Sequence, residues 1–264
     1  MPSSERKAIA VAKADDLLNE LLIREPTEID IDRIAIFKGA EVRYAPLRGM
    51  DGCLIREGES AVITIRNSLR FEGQKRFVIA HELGHFFLHP NTRQIETVDK
   101  QQANNWSEKQ ETEEYEANLF AAELLMPRFL FAPRVQGQEP SFNLIEALAA
   151  EFSTTLTATA VQFVLTTQEE CAVVSAADRH RKWFILSPGF SFQMLEDDYI
   201  HGHSCAAEVN ISKRSSRCSE IEAGFWLDNF RGDHKSYITE DARFFPSLGR
   251  SLSLLWIHDV IGPD

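Results

Sequence analysis

Cysteine is scarce in this chain. The four residues Cys53, Cys171, Cys205 and Cys218 are scattered through 264 positions and show no C-x-x-C spacing. That excludes a disulfide scaffold. Long apolar runs are also missing, and nothing approaches the ~20 residues that span a bilayer. The opening segment, MPSSERKAIAVAKADDLLNELL, carries charges throughout, and its apolar stretch AIAVA is too short for a signal peptide. The expected setting is a reducing cytoplasm, with no membrane partner. Basic residues are outnumbered, 28 against 40 acidic ones, for a net charge of −12. A large phosphate-binding surface would need the opposite balance. The local exception, ISKRSSR at 211–217, reads as a solvated loop.

What the chain has is core-forming material, 44% hydrophobic, at a length that suits two or three modest units. Periodicity predicts helices over 7–23 and, more briefly, 27–37, then strands in GAEVRYAPL, GMDGCLI and SAVITIRNSL. A helix follows over 71–88, closed by Pro90. The polar stretch 91–110 reads as a loop or lid. A strong helix over 111–126 carries its glutamates early, where the helix dipole favours them, and stops at Pro127.

Two short helices within 142–165 are joined by FSTTL, with Ser153 or Thr155 as the second cap. Their outline is that of a helix-turn-helix. The second helix, TLTATAVQFVL, has no Arg or Lys for phosphates or guanines, so helical packing is favoured and direct nucleic-acid binding is not expected. From Cys171 on, CAVVSA, KWFILS, AEVNIS and SLSLLWI look like short strands, and Trp183, Trp226 and Trp256 lie among them. This part reads as a β-rich second domain.

The chemistry concentrates in FVIAHELGHFFLHP, 77–90, which holds three of the eight histidines. His81 and His85 are four apart and share a helical face, so both imidazoles can grip one metal ion. Glu82 sits about 100° around the helix, beside the metal, where it can take a proton from the attacking water. This is the H-E-x-x-H arrangement of zinc peptidases. A third ligand is needed. His89 extends the series but lies two turns from His81, at the helix end. Glu114 is the better candidate: Asn118 lies one turn on, where it can hydrogen-bond a ligand histidine, and Ala121 and Ala122 continue a side that allows close helix approach. Glu111, Glu113 and Glu116 share the segment and can equally form a solvated acidic face. Gly84, costly by about 1 kcal/mol inside a helix, suggests a segment crossing closely there.

RFVIAHELGHFFLH followed by ETEEYEANLFAAELLMP resembles the ImmA/IrrE family of zinc metallopeptidases. Their H-E-x-G-H helix is followed by E-x-x-A-N-x-F-A-x-x-L-L-M-P, matched here by Glu114, Ala117, Asn118, Phe120, Ala121, Leu124, Leu125, Met126 and Pro127. The resemblance covers roughly 5–165. It implies His81, His85 and Glu114 as zinc ligands, Glu82 as general base and Asn118 as their support. It also implies that the strand at 61–65 is an edge strand beside the cleft, open to an extended substrate by β-augmentation.

The expected fold class is α+β: a zincin-like metallopeptidase domain over 1–135, a helix-turn-helix-like segment over 136–168 and a β-rich domain over 169–264. The resemblance further implies an antirepressor protease, a zinc-dependent endopeptidase that cleaves a helix-turn-helix transcriptional repressor in response to stress or mobile-element signals. The alternative is a non-proteolytic metal-binding regulator or sensor that binds a repressor or DNA. A second metal site is also open for test at His201, His203, Cys205 and Cys218, whose side chains suit zinc, although their spacing matches no standard module and a loop with incidental residues is the favoured reading.

Overall fold

The computed structural model describes residues 3–90, 96–99, 106, 113–213, 216–228, 237–246 and 248–258. The chain is α+β and splits into two compact units, Met1–Pro133 with Glu146–Gln162, and Arg134–Ile145 with Phe163–Asp264. The helical stretch 136–168 is therefore divided between them.

The first unit opens with helix α1 (Ser3–Glu20), which buries Ala10, Ala14, Leu17 and Leu18 at helical spacing. Helix α2 (Ile31–Phe37) starts at Asp30, whose carboxylate accepts the Arg33 N–H at 3.2 Å. Strands β1 (Ala40–Ala45), β2 (Met50–Glu57) and β3 (Ser60–Arg66) lead into helix α3 (Glu72–Leu88). Strand β4 (Glu96–Asp99), helix α4 (Glu113–Leu125) and helix α5 (Arg128–Val135) follow, then α6 (Phe142–Glu151) and α7 (Leu156–Thr166).

The sheet runs β1-β3-β2-β4, with β1 and β3 parallel and the other pairs antiparallel. The residues at 61–65 therefore do not form an edge. Their strand β3 lies between β1 and β2, and Ala61, Ile63 and Ile65 point into the core. The strand's apolar, β-branched character is that of an inner strand. The stretch 91–110 also departs from a plain loop. Within it, Glu96–Asp99 pairs with β2 and Trp106 is buried, while the rest lies outside the described residues.

Helix α3 is buried on every side from Phe77 to Phe86, which accounts for the density of apolar residues around its histidines. It packs against the sheet through β2 and β3 and most extensively against α4. Two glycines permit its close neighbours. A Cβ at Gly73 would stand 2.6 Å from the Thr154 carbonyl carbon, and one at Gly84 would stand 2.9 Å from the Cα of Ala117. The C-terminal end of α3 is held by Arg56 of β2, which donates to the carbonyls of Phe86 at 2.7 Å and His85 at 3.3 Å. Thr155 caps α7 through the Ala158 N–H. Helices α6 and α7 bend by 109° at their break, and no single helix among the described residues is long and apolar enough to cross a membrane.

The second unit carries strands β5 (Cys171–Ala177), β6 (His180–Leu186) and β7 (Gln193–Met194), then helix α8 (Cys205–Ser212). Strands β8 (Ser216–Glu222), β9 (Leu227–Asp228), β10 (Tyr237–Phe245) and β11 (Arg250–Trp256) complete it. Five strands form an antiparallel sheet in the order β6-β5-β11-β10-β8, covered by α8, and β7 pairs with β9.

AEVNIS is thus helix, not strand. Ser204 caps α8 by accepting the Ala207 N–H, and Asn210 donates to the Ala206 carbonyl. The buried carboxylate of Glu240 on β10 accepts the Cys205 and Ala206 N–H groups, both at 2.8 Å. Burial raises the Glu240 carboxyl above its ordinary range, against the pull of these donors. The basic stretch 211–217 straddles the end of α8 and the start of β8, with its middle outside the described residues.

Two outcomes follow from this packing. Gly84→Ala should cost about 1–3 kcal/mol in denaturant unfolding, because its methyl meets backbone on α4 and outweighs the gain in helix propensity. The second outcome concerns Glu123 of α4, which is buried and accepts the Arg128 N–H at 2.7 Å. Desolvation raises its carboxyl from 4.5 to about 7. The protonated form is favoured in the fold, so its contribution is full below about pH 4.5 and is lost as pH rises through about 7. At ~1.4 kcal/mol per pH unit the swing is on the order of 3 kcal/mol. Glu123→Gln, which cannot ionise, should gain stability relative to wild type between pH 5 and pH 8. A constant difference across that range would contradict the assignment.

Candidate metal centre

Three side chains from two helices meet in the first unit. His81 and His85 come from successive turns of α3, and Glu114 from the first turn of α4. The two imidazole Nε2 atoms are 3.0 Å apart. The Glu114 carboxylate reaches the Nε2 of His81 at 3.3 Å and that of His85 at 3.5 Å. One donor atom from each residue falls within 4.8 Å of the others, and both histidines are buried. Among the described residues no other group of three or more His, Cys, Asp or Glu side chains gathers in this way.

The ring orientations suit a ligand. His81 turns its Nδ1 to the Asn118 amide oxygen at 2.9 Å, which leaves Nε2 free to face the centre. His85 turns its Nδ1 to the Nδ1 of His89 at 3.1 Å. Two imidazoles and one carboxylate, converging with the outer imidazole nitrogens held, form a donor set that fits a divalent metal of borderline softness. Electrostatics agree. Burial lowers the His81 imidazole, favouring the neutral form that binds metal, against the pull of Glu114. Burial alone would raise the Glu114 carboxyl, but hydrogen bonds from His81 and His85 overcome it and hold the group well below the usual carboxylate range.

Glu82 is fully buried and lies against β2, where a Cβ at Gly52 would come within 2.8 Å of its Oε1 and 2.4 Å of Val78. Only glycine fits at Gly52 with this carboxylate in place. Next to it, Asp51 is buried and bound by Gln74 at 2.9 Å and by Arg66. Phe77 and Trp106 rings, 6.0 Å apart, close the N-terminal side of the centre beside His81.

His81, His85, Glu114 and Asn118 therefore come together as the sequence suggests. His89 is not in the group. Its second nitrogen meets Glu116 Oε2 at 3.1 Å. Glu116 thus has a partner in the core and is not a solvated acid, while Glu111 lies outside the described residues. Gly52, Trp106 and Glu116 carried no local signal, because each reaches the site from an element whose placement depends on long-range contacts.

The second cluster does not assemble. His201 stacks on Phe225 at 3.9 Å, Cys205 is buried in α8, and Cys218 is exposed on β8. His203 and Cys205 do border a cavity of about 240 Å³ with Glu208, Arg217 and Tyr237, but without a three-ligand grouping.

A sequence profile described as the IrrE N-terminal-like domain, of a peptidase family, matches residues 38–163. This span holds all three converging side chains. That part of the chain is similar to the IrrE N-terminal-like domain. Among solved structures, a Mycobacterium tuberculosis transcriptional regulator aligns with a TM-score of 0.61 at 14% identity, over 97% of this chain and 82% of that one. At that identity the likeness speaks for the fold alone. Comparison with curated proteins returns no match. The match supports a metallopeptidase-like character, and the metal-capable group within it is the His81, His85 and Glu114 set.

Elemental analysis should find one metal per chain in the wild type and close to none in His81→Ala or Glu114→Ala. His203→Ala and Cys218→Ala should keep the wild-type stoichiometry. Two metals per chain, falling to one in the latter pair, would restore the second site.

Proposed function

We propose that the chain is a zinc-dependent endopeptidase of the cytoplasm whose substrate is a helix-turn-helix transcriptional repressor. The observation that carries this reading is the convergence of His81, His85 and Glu114 with Glu82 buried one residue along the same helix. His81, His85 and Glu114 would hold the zinc. Bound there, zinc supplies a Lewis acid that acidifies water and polarises the scissile carbonyl.

The remaining work belongs to the chain. Glu82 takes a proton from the attacking water and later passes it to the leaving amine. Asn118 fixes the His81 ring with Nε2 inward. Gly52 leaves the space that the Glu82 carboxylate occupies. Because β3 is internal, it offers no edge for substrate pairing, and an extended substrate must dock elsewhere in the cleft.

Several observations support a protein target over DNA. Residues Thr157 to Val164 of α7 are all buried, so the second helix of the helix-turn-helix outline keeps no polar face for a groove. The net charge of −12 agrees. The name of the Mycobacterium tuberculosis neighbour, a transcriptional regulator, supports a regulatory setting for the cleavage.

Glu82→Gln should retain zinc and lose cleavage of the cognate repressor by at least about 100-fold, the usual scale for a positioned acid–base group. Purified variant and wild type would be compared by gel on the repressor encoded nearest the gene. Cleavage at the wild-type rate would remove Glu82 from the chemistry. If wild type binds the repressor without cutting it, and Glu82→Gln behaves the same, the chain is a regulator that acts by binding.

A further inference from the structure

We infer that His89 and Glu116 are positioning residues of the metal centre, and that through Arg6 they tie His85 to the N-terminal helix α1. The inference rests on the metal-binding reading of His81, His85 and Glu114.

The contacts form one unbroken line. His85 Nδ1 meets His89 Nδ1 at 3.1 Å, His89 Nε2 meets Glu116 Oε2 at 3.1 Å, and the other carboxylate oxygen, Oε1, meets Arg6 Nη1 at 3.3 Å. The line leaves the surface only gradually. Side-chain exposure is 32% at Arg6, 12% at Glu116, 5% at His89 and 1% at His85.

The hydrogen bonds have one consistent direction once His85 binds through Nε2. That nitrogen must then carry no proton, so Nδ1 carries it and donates to His89 Nδ1. His89 Nδ1 is thereby an acceptor, so its proton sits on Nε2 and is donated to Glu116. The Glu116 carboxylate accepts, and Arg6, which only donates, closes the chain. Every position is filled by a residue of the required polarity. Any other His85 tautomer would break the sequence at its first step. A ligand histidine whose outer N–H is held by a carboxylate is both oriented and made more basic. Here the carboxylate acts one imidazole further out. His81 differs, since its outer nitrogen rests on the neutral amide of Asn118.

His89 is thus not a ligand and not a mere end-of-helix histidine. Its Nδ1 is occupied by the side of His85 that faces away from Glu114. Glu116 lies two residues after the ligand Glu114 on α4 and serves a different residue of α3. Arg6 brings α1 into the same network, although α1 contributes no ligand.

The test is zinc affinity, measured by competition of apoprotein with a chromophoric chelator, together with the visible spectrum of the cobalt-loaded protein. His89→Phe keeps a ring but removes both the acceptor and the donor, and should weaken zinc binding about 10- to 100-fold, the range for lost support of a ligand histidine. Glu116→Gln should weaken it less, and Arg6→Met least. His89→Gln, whose amide oxygen can accept and whose NH₂ can donate, should recover most of the affinity and the wild-type cobalt spectrum. Thermal unfolding of the apoproteins separates these effects from loss of fold, and should His89→Phe not fold, Glu116→Gln and His89→Gln decide.

Wild-type affinity in His89→Phe or Glu116→Gln would overturn the inference. So would His89→Gln losing as much affinity as His89→Phe, which would reduce His89 to packing. A wild type that fails to bind zinc would overturn it together with the metal-binding reading. Graded zinc affinities in a wild type that cleaves no peptide would leave the relay standing and sink only the endopeptidase reading.

Discussion

The site depends on how closely α3 and α4 approach at Gly84 and Ala117. Gly84 lies between His81 and His85, and Ala117 between Glu114 and Asn118. Their contact, 2.9 Å from a would-be Cβ to the opposite Cα, places the pivot of the crossing within both pairs. His81 meets Asn118 and His85 meets Glu114, in opposite order along the two helices, and His89 meets Glu116, which lies between those two partners. A larger residue at either pivot would separate the helices and move all three contacts at once. The two small residues are therefore part of the metal chemistry, although neither offers a donor atom. Ala121 and Ala122 extend the same economy of volume along α4, and both are fully buried.

This explains why the ligand set was legible in sequence. The period of four in His81 and His85 is a local property of one helix, and the E-x-x-A-N run is a local property of the next. Each motif carries its own geometry, and a small residue inside each signals that they meet. Elements set by distant pairing were not legible. Strand β3 has an apolar alternation that fits an edge or an inner position, and only the parallel return of β1 settles the order β1-β3-β2-β4. AEVNIS has the composition of a strand. It became helix because Glu240, far along the chain on β10, takes the first N–H groups of α8. A carboxylate that supplies the missing acceptors of a helix start overrides weak local propensity. The strand β10 that carries it gave no separate signal beforehand.

Glu240 and Glu123 follow the same principle in the two units. Each is a buried acid whose desolvation is only partly offset by backbone N–H groups at the start of a following or neighbouring helix: α8 for Glu240, and α5, through Arg128, for Glu123. Such groups fix where a helix begins more firmly than an exposed Ser or Asp cap, because an unmet donor in the interior costs more than one in water. In the first unit this anchors the end of α4 as the Gly84 contact anchors its start. The helix that brings Glu114 and Asn118 to the histidines is thus held at both ends by interactions that tolerate little change.

The three histidines of HELGHFFLH show how one repeat yields two roles. They occupy the same stripe of α3 at intervals of four, so the helix alone would make them equivalent. What separates them is the face of α4 they meet. His81 finds an amide, His85 a carboxylate shared with His81, and His89 a carboxylate already paired with arginine. The imidazoles of His81 and His85 turn their Nε2 atoms to the shared Glu114 carboxylate at the centre. His89, which bridges an imidazole to a charged pair, has both nitrogens committed. Ligand and support are therefore assigned by α4 rather than by α3, because the partner that α4 offers decides whether a histidine turns a nitrogen to Glu114 or to another group.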